Sequence, residues 1–194
     1  MSLTHRILKV LVQSMTGAMF AASGTLALAQ EASLESNNYC LNLAPDLARA
    51  AKEWQRPAQD GKVLDRPEGD ADLPAGVKIK ITLYPSEKVT LAMAPRNPEV
   101  NVAGYSGLVS FHTGKAGPYR VLMTQYIWLE MIDASGKTAA ITVRAGALDS
   151  NKQLNRCAGM GKNLSFDLAA DTRYWLQLSG AQMRPVELAI SAPD

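Results

Sequence analysis

Beyond Gly76 no regular hydrophobic pattern in this chain runs longer than about eight residues, and turn-forming residues interrupt it again and again. The clearest stretch is Val77 to Leu83, where Val77, Ile79, Ile81 and Leu83 alternate with Lys78, Lys80 and Thr82. A period of two places alternate side chains on opposite faces, which is the mark of a strand with one buried side. Lys88 to Ala94 continues the alternation with Val89, Leu91 and Met93, after a break at Tyr84, Pro85, Ser86 and Glu87 that suits a turn. Further short runs follow at Gly107 to His112, Pro118 to Thr124, Ile127 to Asp133, Thr138 to Arg144, Asn163 to Leu168, Tyr174 to Ser179 and Val186 to Ile190. Gly114, Gly117, Gly136, Gly159, Gly161, Asp171 and Gly180 punctuate them. Runs this short, and this rich in β-branched and aromatic residues, do not make helices. They predict an all-β domain of about nine strands over residues 77–194, a sandwich or a barrel.

The preceding residues have a different texture. From Leu43 to Trp54 the chain reads as a short N-terminal helix, with Pro45 suited to its first turn and Asp46 favourable at its positive end. Leu47, Ala51 and Trp54 share one face and should pack on the main body. Between Arg56 and Gly76 the composition turns to Pro, Gly and Asp, which favours turns and offers little apolar area. Residues 30–76 are therefore expected to form the helix and a surface-hugging connecting segment.

The first 29 residues read as a Sec-type signal peptide. Arg6 and Lys9 precede an acid-free apolar stretch that ends in Ala27, Leu28 and Ala29, the small-x-small pattern of a cleavage site. An uncleaved anchor is the competing reading, weakened by Gln13, Ser14, Thr16, Gly17, Ser23, Gly24 and Thr25. Arg6 and Lys9 also account for the whole formal charge of +2; without them the basic residues balance the 18 acidic ones. A neutral mature chain has no long-range attraction for nucleic acid or anionic lipid, so neither is an expected partner, and no stable membrane insertion is expected after cleavage. The chain has 2 cysteines, Cys40 and Cys157. In an oxidising compartment such a pair is expected to form a disulfide, and it is too small a ligand set for a structural metal.

Little else carries chemistry. His5 leaves with the signal peptide, so His112 is the one imidazole of the mature chain, at a predicted strand end with no partner specified. Ser106 and Ser110 lie near it, but neither sits in a nucleophile elbow. Asp149, Asn151 and Asn155 fall in what reads as a polar loop before Cys157 and lack a calcium-loop spacing. Gly159, Gly161 and Lys162 lack the full pattern of a phosphate loop. No catalytic residues, cofactor or metal are expected. Among the aromatic residues, Tyr174 and Trp175 are adjacent on a predicted strand and must face opposite ways, so both cannot enter one core. Whichever of them faces outward, together with Tyr126 or Trp128, is a candidate contact for a partner.

From Gly107 to Ile190 the chain resembles a known family. Leu108 to Phe111, Gly117 with Tyr119, Trp128 to Asp133 followed by Gly136, Leu164 with Phe166, and Tyr174 to Gly180 follow the pattern of the bacterial pre-peptidase C-terminal β-sandwich. The resemblance covers about half of the chain and implies a fold, an antiparallel β-sandwich of jelly-roll-like type with a short N-terminal helix, rather than an activity. The mature chain also resembles a group of small exported proteobacterial proteins with an early Cys, a short helix containing Leu and Trp, and the same sandwich. Some of these carry the label homogentisate 1,2-dioxygenase. A non-haem iron oxygenase needs imidazole and carboxylate ligands on one metal, and a single His112 does not supply them. The expectation is a non-catalytic periplasmic binding or accessory module, free-standing or a small subunit of a larger periplasmic enzyme complex, whose partner is another periplasmic protein or a saccharide. A carbohydrate or envelope-polymer binder, with Trp175 or Trp128 stacking on sugar rings, and an oxygenase-type enzyme with an unseen site are the alternatives.

Overall fold

A computed structural model describes residues 40–97, 99, 103–142 and 147–193, and gives the backbone alone for 147–151. The expected signal peptide lies outside these residues. Among the described residues nine strands, β1 (Gln59–Asp60), β2 (Lys78–Thr82), β3 (Tyr84–Pro85), β4 (Tyr105–His112), β5 (Gly117–Met123), β6 (Trp128–Asp133), β7 (Lys162–Leu168), β8 (Arg173–Ala181) and β9 (Pro185–Ser191), form two sheets. The first has the order β1-β2-β9-β5-β7 and the second β3-β4-β8-β6. From β4 onward each successive strand changes sheet, so neighbours are distant in sequence and the connectivity is that of a jelly roll. All pairings are antiparallel except that of β1 with β2.

Alternation along the strands builds the core directly. Ile79, Ile81, Val109, Phe111, Tyr119, Val121, Met123, Leu129, Met131, Phe166, Tyr174, Leu176, Val186 and Leu188 point between the sheets and are buried together. Phe111 lies 5.8 Å from both Tyr119 and Tyr174, ring centroid to centroid. The all-β sandwich is as the runs of sequence predict. Helix α1 (Pro45–Trp54) also begins at its proline and buries Leu47, Ala50, Ala51 and Trp54. Together with Leu122, Leu154, Met160 and Ala189 it makes a second, smaller core on the outer side of the first sheet.

Two expected strands are absent, and the reasons are physical. Lys88 to Ala94 becomes a 3-10 turn (Ser86–Lys88) and an irregular segment. The free edge of β4 is already occupied by β3, by Leu64 and by Ala71 to Leu73, which bond to residues 105–110 of the strand. The segment instead crosses the outer face of the second sheet, where the Gln177 side chain clasps the backbone of Met93, accepting from its N–H at 3.1 Å and donating to its carbonyl at 3.0 Å. Thr138 to Arg144 is not a strand over its described part because it changes partner within four residues. Ala139 donates to Met131 on β6 and Thr142 donates to Ser165 on β7, so this strap joins the edges of both sheets.

The polar stretch before Cys157 is a second helix, α2 (Ala147–Ala158), rather than a loop. It ends in a glycine-based cap: Gly159 takes φ +64° and Met160 donates to the Asn155 carbonyl at 3.1 Å, five residues back. Cys40 and Cys157 are bonded, Sγ to Sγ, with Cα atoms 4.9 Å apart. The disulfide ties the chain just ahead of α1 to the last turn of α2. Among the described residues no helix is long and apolar enough to cross a membrane.

Candidate functional site

Two places gather polar or exposed aromatic side chains. At the first, β4 puts Ser110 and His112 on one outward face, two residues apart. In the register of β8, Trp175 lies opposite Ser110 and Arg173 opposite His112. The segment Asp70 to Leu73 runs beside them along the β4 edge. One nitrogen of Arg173, Nη2, donates to Asp70 Oδ1 at 2.8 Å, to the Gly69 carbonyl at 3.0 Å and to Ser110 Oγ at 3.2 Å. Ser110 in turn donates its hydroxyl to Asp72, and His112 Nδ1 stands 3.8 Å from the other oxygen of that carboxylate.

A serine, an aspartate and the histidine thus meet, which no motif in the sequence announces. Their order is wrong for nucleophilic catalysis. A catalytic imidazole must stand between hydroxyl and carboxylate to take the proton. Here the carboxylate stands between, and Ser110 is 0% exposed. The arrangement pins the Asp70 to Leu73 segment to the sheet. Among the described residues no group of three or more histidine, cysteine or acidic side chains is placed to hold a metal ion. Asn155, read from sequence as a loop oxygen, lies on α2 and accepts from Asn163 at 2.7 Å.

The four aromatic candidates are not brought to one patch. Tyr174 is 6% exposed and lies in the core, its hydroxyl accepting from Ala169 N–H at 3.1 Å, so it is not available to a partner. Trp175 takes the outward direction that alternation requires, and the Arg173 guanidinium lies 4.6 Å over its ring. That cation occupies a ring face that a sugar would need. Trp128 is half-buried on the outward side of β6, opposite Ser179. Its Nε1 and the Ser179 hydroxyl are buried without a hydrogen-bond partner among the described residues.

Tyr126 differs from the other three: it is 77% exposed, in the connection from β5 to β6. Its position is nevertheless held. Lys162, at the start of β7, donates from Nζ to the Ile127 carbonyl at 2.7 Å and places its charge 4.3 Å from the Tyr126 ring centroid. Burial pushes the Lys162 amine below its ordinary pKa. The neighbouring Gln125 donates from Nε2 to the carbonyls of Met183 and Pro185, both at 3.1 Å. The β8 to β9 connection is thereby tied to that of Tyr126, and Met183 on it is 57% exposed. Sequence reasoning did not single out Met183 and considered Lys162 only as part of an incomplete phosphate loop, because neither their exposure nor their neighbours follow from local pattern. The chain matches no protein-family model, and no curated protein matches it.

Proposed function

We propose that this protein is an exported, non-catalytic binding or accessory module, working beside a larger periplasmic partner. The observation that carries the reading is Tyr126, a solvent-exposed aromatic ring fixed in place by Lys162 on a pair of connected loops. A large amphipathic side chain that is already held loses little conformational freedom on binding, which is what makes aromatic anchors effective in interfaces. Parts of the remaining surface are taken up by the chain itself. The two helices pack on β5, β7 and β9 of the first sheet, residues 93–96 lie on the second at Gln177 and Glu130, and short segments cap the β4, β6 and β7 edges. The Cys40–Cys157 bond supports export, because such bonds persist in oxidising compartments. The carboxylate interposed between Ser110 and His112 speaks for structure rather than turnover at that cluster.

Co-purification tests the proposal. Tagged protein expressed at native level and released gently from the cell envelope is expected to bring a stoichiometric larger protein with it. Recovery as a lone monomer would defeat the accessory reading. The oxygenase alternative predicts stoichiometric iron after anaerobic reconstitution, which metal analysis would reveal.

A further inference from the structure

We infer that the end of the sandwich bearing Tyr126 and Met183 is the docking surface, and that it fits a protein partner presenting an apolar socket rimmed by Asp and Glu. The inference rests on the accessory-module reading and adds the surface and the chemistry of its partner. Three segments are tied together there: Thr124 to Ile127, Gly180 to Pro185, and Gly161 with Lys162. Gln125 links the first two, and Gly161 donates to the Met123 carbonyl at 2.9 Å while Lys162 reaches Ile127 at 2.7 Å, linking the third.

Across these three segments the sequence has two cations, Lys162 and Arg184, and no carboxylate. Glu187, the next acid along the chain, is engaged by Lys78 at 3.3 Å. Arg184 is exposed, and its guanidinium donates from Nε to the Leu83 carbonyl at 3.3 Å and lies 5.8 Å from the Tyr105 ring centroid, which fixes the charge beside Met183. Two exposed apolar anchors flanked by two cations, with no carboxylate in their own segments, call for the opposite pattern on the partner: apolar at the centre, acidic around it. A lipid surface fits less well. Peripheral attachment relies on clusters of about four to eight cations or on a broad apolar helix face, and this end has neither.

The test uses the full chain in its own cells with a photo-crosslinking benzoyl-phenylalanine placed singly at Tyr126 or Met183, and at exposed Leu41 and Ile141 for comparison. Crosslinks at 126 and 183 to one identified protein, mapped to a segment with Asp and Glu around apolar residues, are expected. With that partner purified, Arg184→Glu should weaken binding at least tenfold, and reversing a partner acid to Lys should restore it. An unchanged urea midpoint would show that the variant remains folded. Crosslinks from 126 and 183 to a second copy of the chain, to lipid, or to a segment without acids would overturn the inference. So would a partner captured only from 41 or 141, which would leave the accessory reading standing. No protein captured from any of the four positions would end both.

Discussion

Gln177 is fully buried on an outward strand face, a place where an alternating pattern predicts a residue in water. Its amide contacts Met93 and also donates to Glu130 Oε2 at 2.8 Å, while Arg96 N–H donates to Oε1 of the same carboxylate at 2.8 Å. Removing the amide strands Oε2 of the buried Glu130 carboxylate and two backbone groups. Gln177→Leu should therefore lower stability by about 1–3 kcal/mol, read as a shift in the urea midpoint. Asp133 offers a pH test. The Ser135 hydroxyl, then the backbone N–H groups of Lys137 and Ser135, hold its carboxyl below the usual carboxylate range, with burial opposing weakly. A depressed folded pKa adds stability above the unfolded value and loses it as pH falls through the folded one. Asp133→Asn is thus expected to be less stable than the parent at neutral pH, with the difference shrinking as pH falls below the usual carboxylate range, in paired denaturation curves. At Gly161 an added Cβ would lie 2.5 Å from the Thr124 carbonyl oxygen and 2.8 Å from Gln125 Cα. Gly161→Ala should disturb the Tyr126 loop, detectable as altered tyrosine and tryptophan near-ultraviolet dichroism.

At the level of elements, what could be read was whatever had a strong local period. Helix α1 is announced by Pro45, Asp46 and its apolar face, and seven of the nine expected strands form. Helix α2 was not legible because its described inward positions, Leu154, Cys157 and Ala158, are few among polar neighbours. Gly159 was its available signal, as the residue that ends the helix in a left-handed conformation. The disulfide holds this weakly patterned helix to the fold. Closing a loop with a sequence separation of 117 stabilises by roughly 4–5 kcal/mol in the chain-entropy model. Replacing both cysteines by serine should lower stability by up to that amount. Hydrogen exchange should then rise first in α1 and α2, which rest on the smaller outer core, and later in β4, β5 and β8.

On the scale of the whole molecule, nearly every long strand pairs with one distant in sequence, so loop closure must precede reward throughout. Refolding with the disulfide intact is expected on the millisecond-to-second scale or slower, followed by stopped-flow tryptophan fluorescence. The alternation of apolar residues determined by itself that the chain would be an all-β sandwich or barrel, because a period of two can be buried in few ways, and the two-sheet arrangement was settled by the tertiary structure. The cysteine pair likewise implied its crosslink. Which edge each segment would cap, that Lys88 to Ala94 would lie across a sheet rather than join it, and that serine, aspartate and histidine would meet in a non-catalytic order were decided by tertiary structure. The same holds for the aromatic candidates. Alternation requires Tyr174 and Trp175 to part, but the core chose Tyr174, Arg173 covered Trp175, and the packing of Lys162 left Tyr126 fixed and exposed. Competition for edges and faces is a property of the assembled sheets, and no local stretch of sequence contains it.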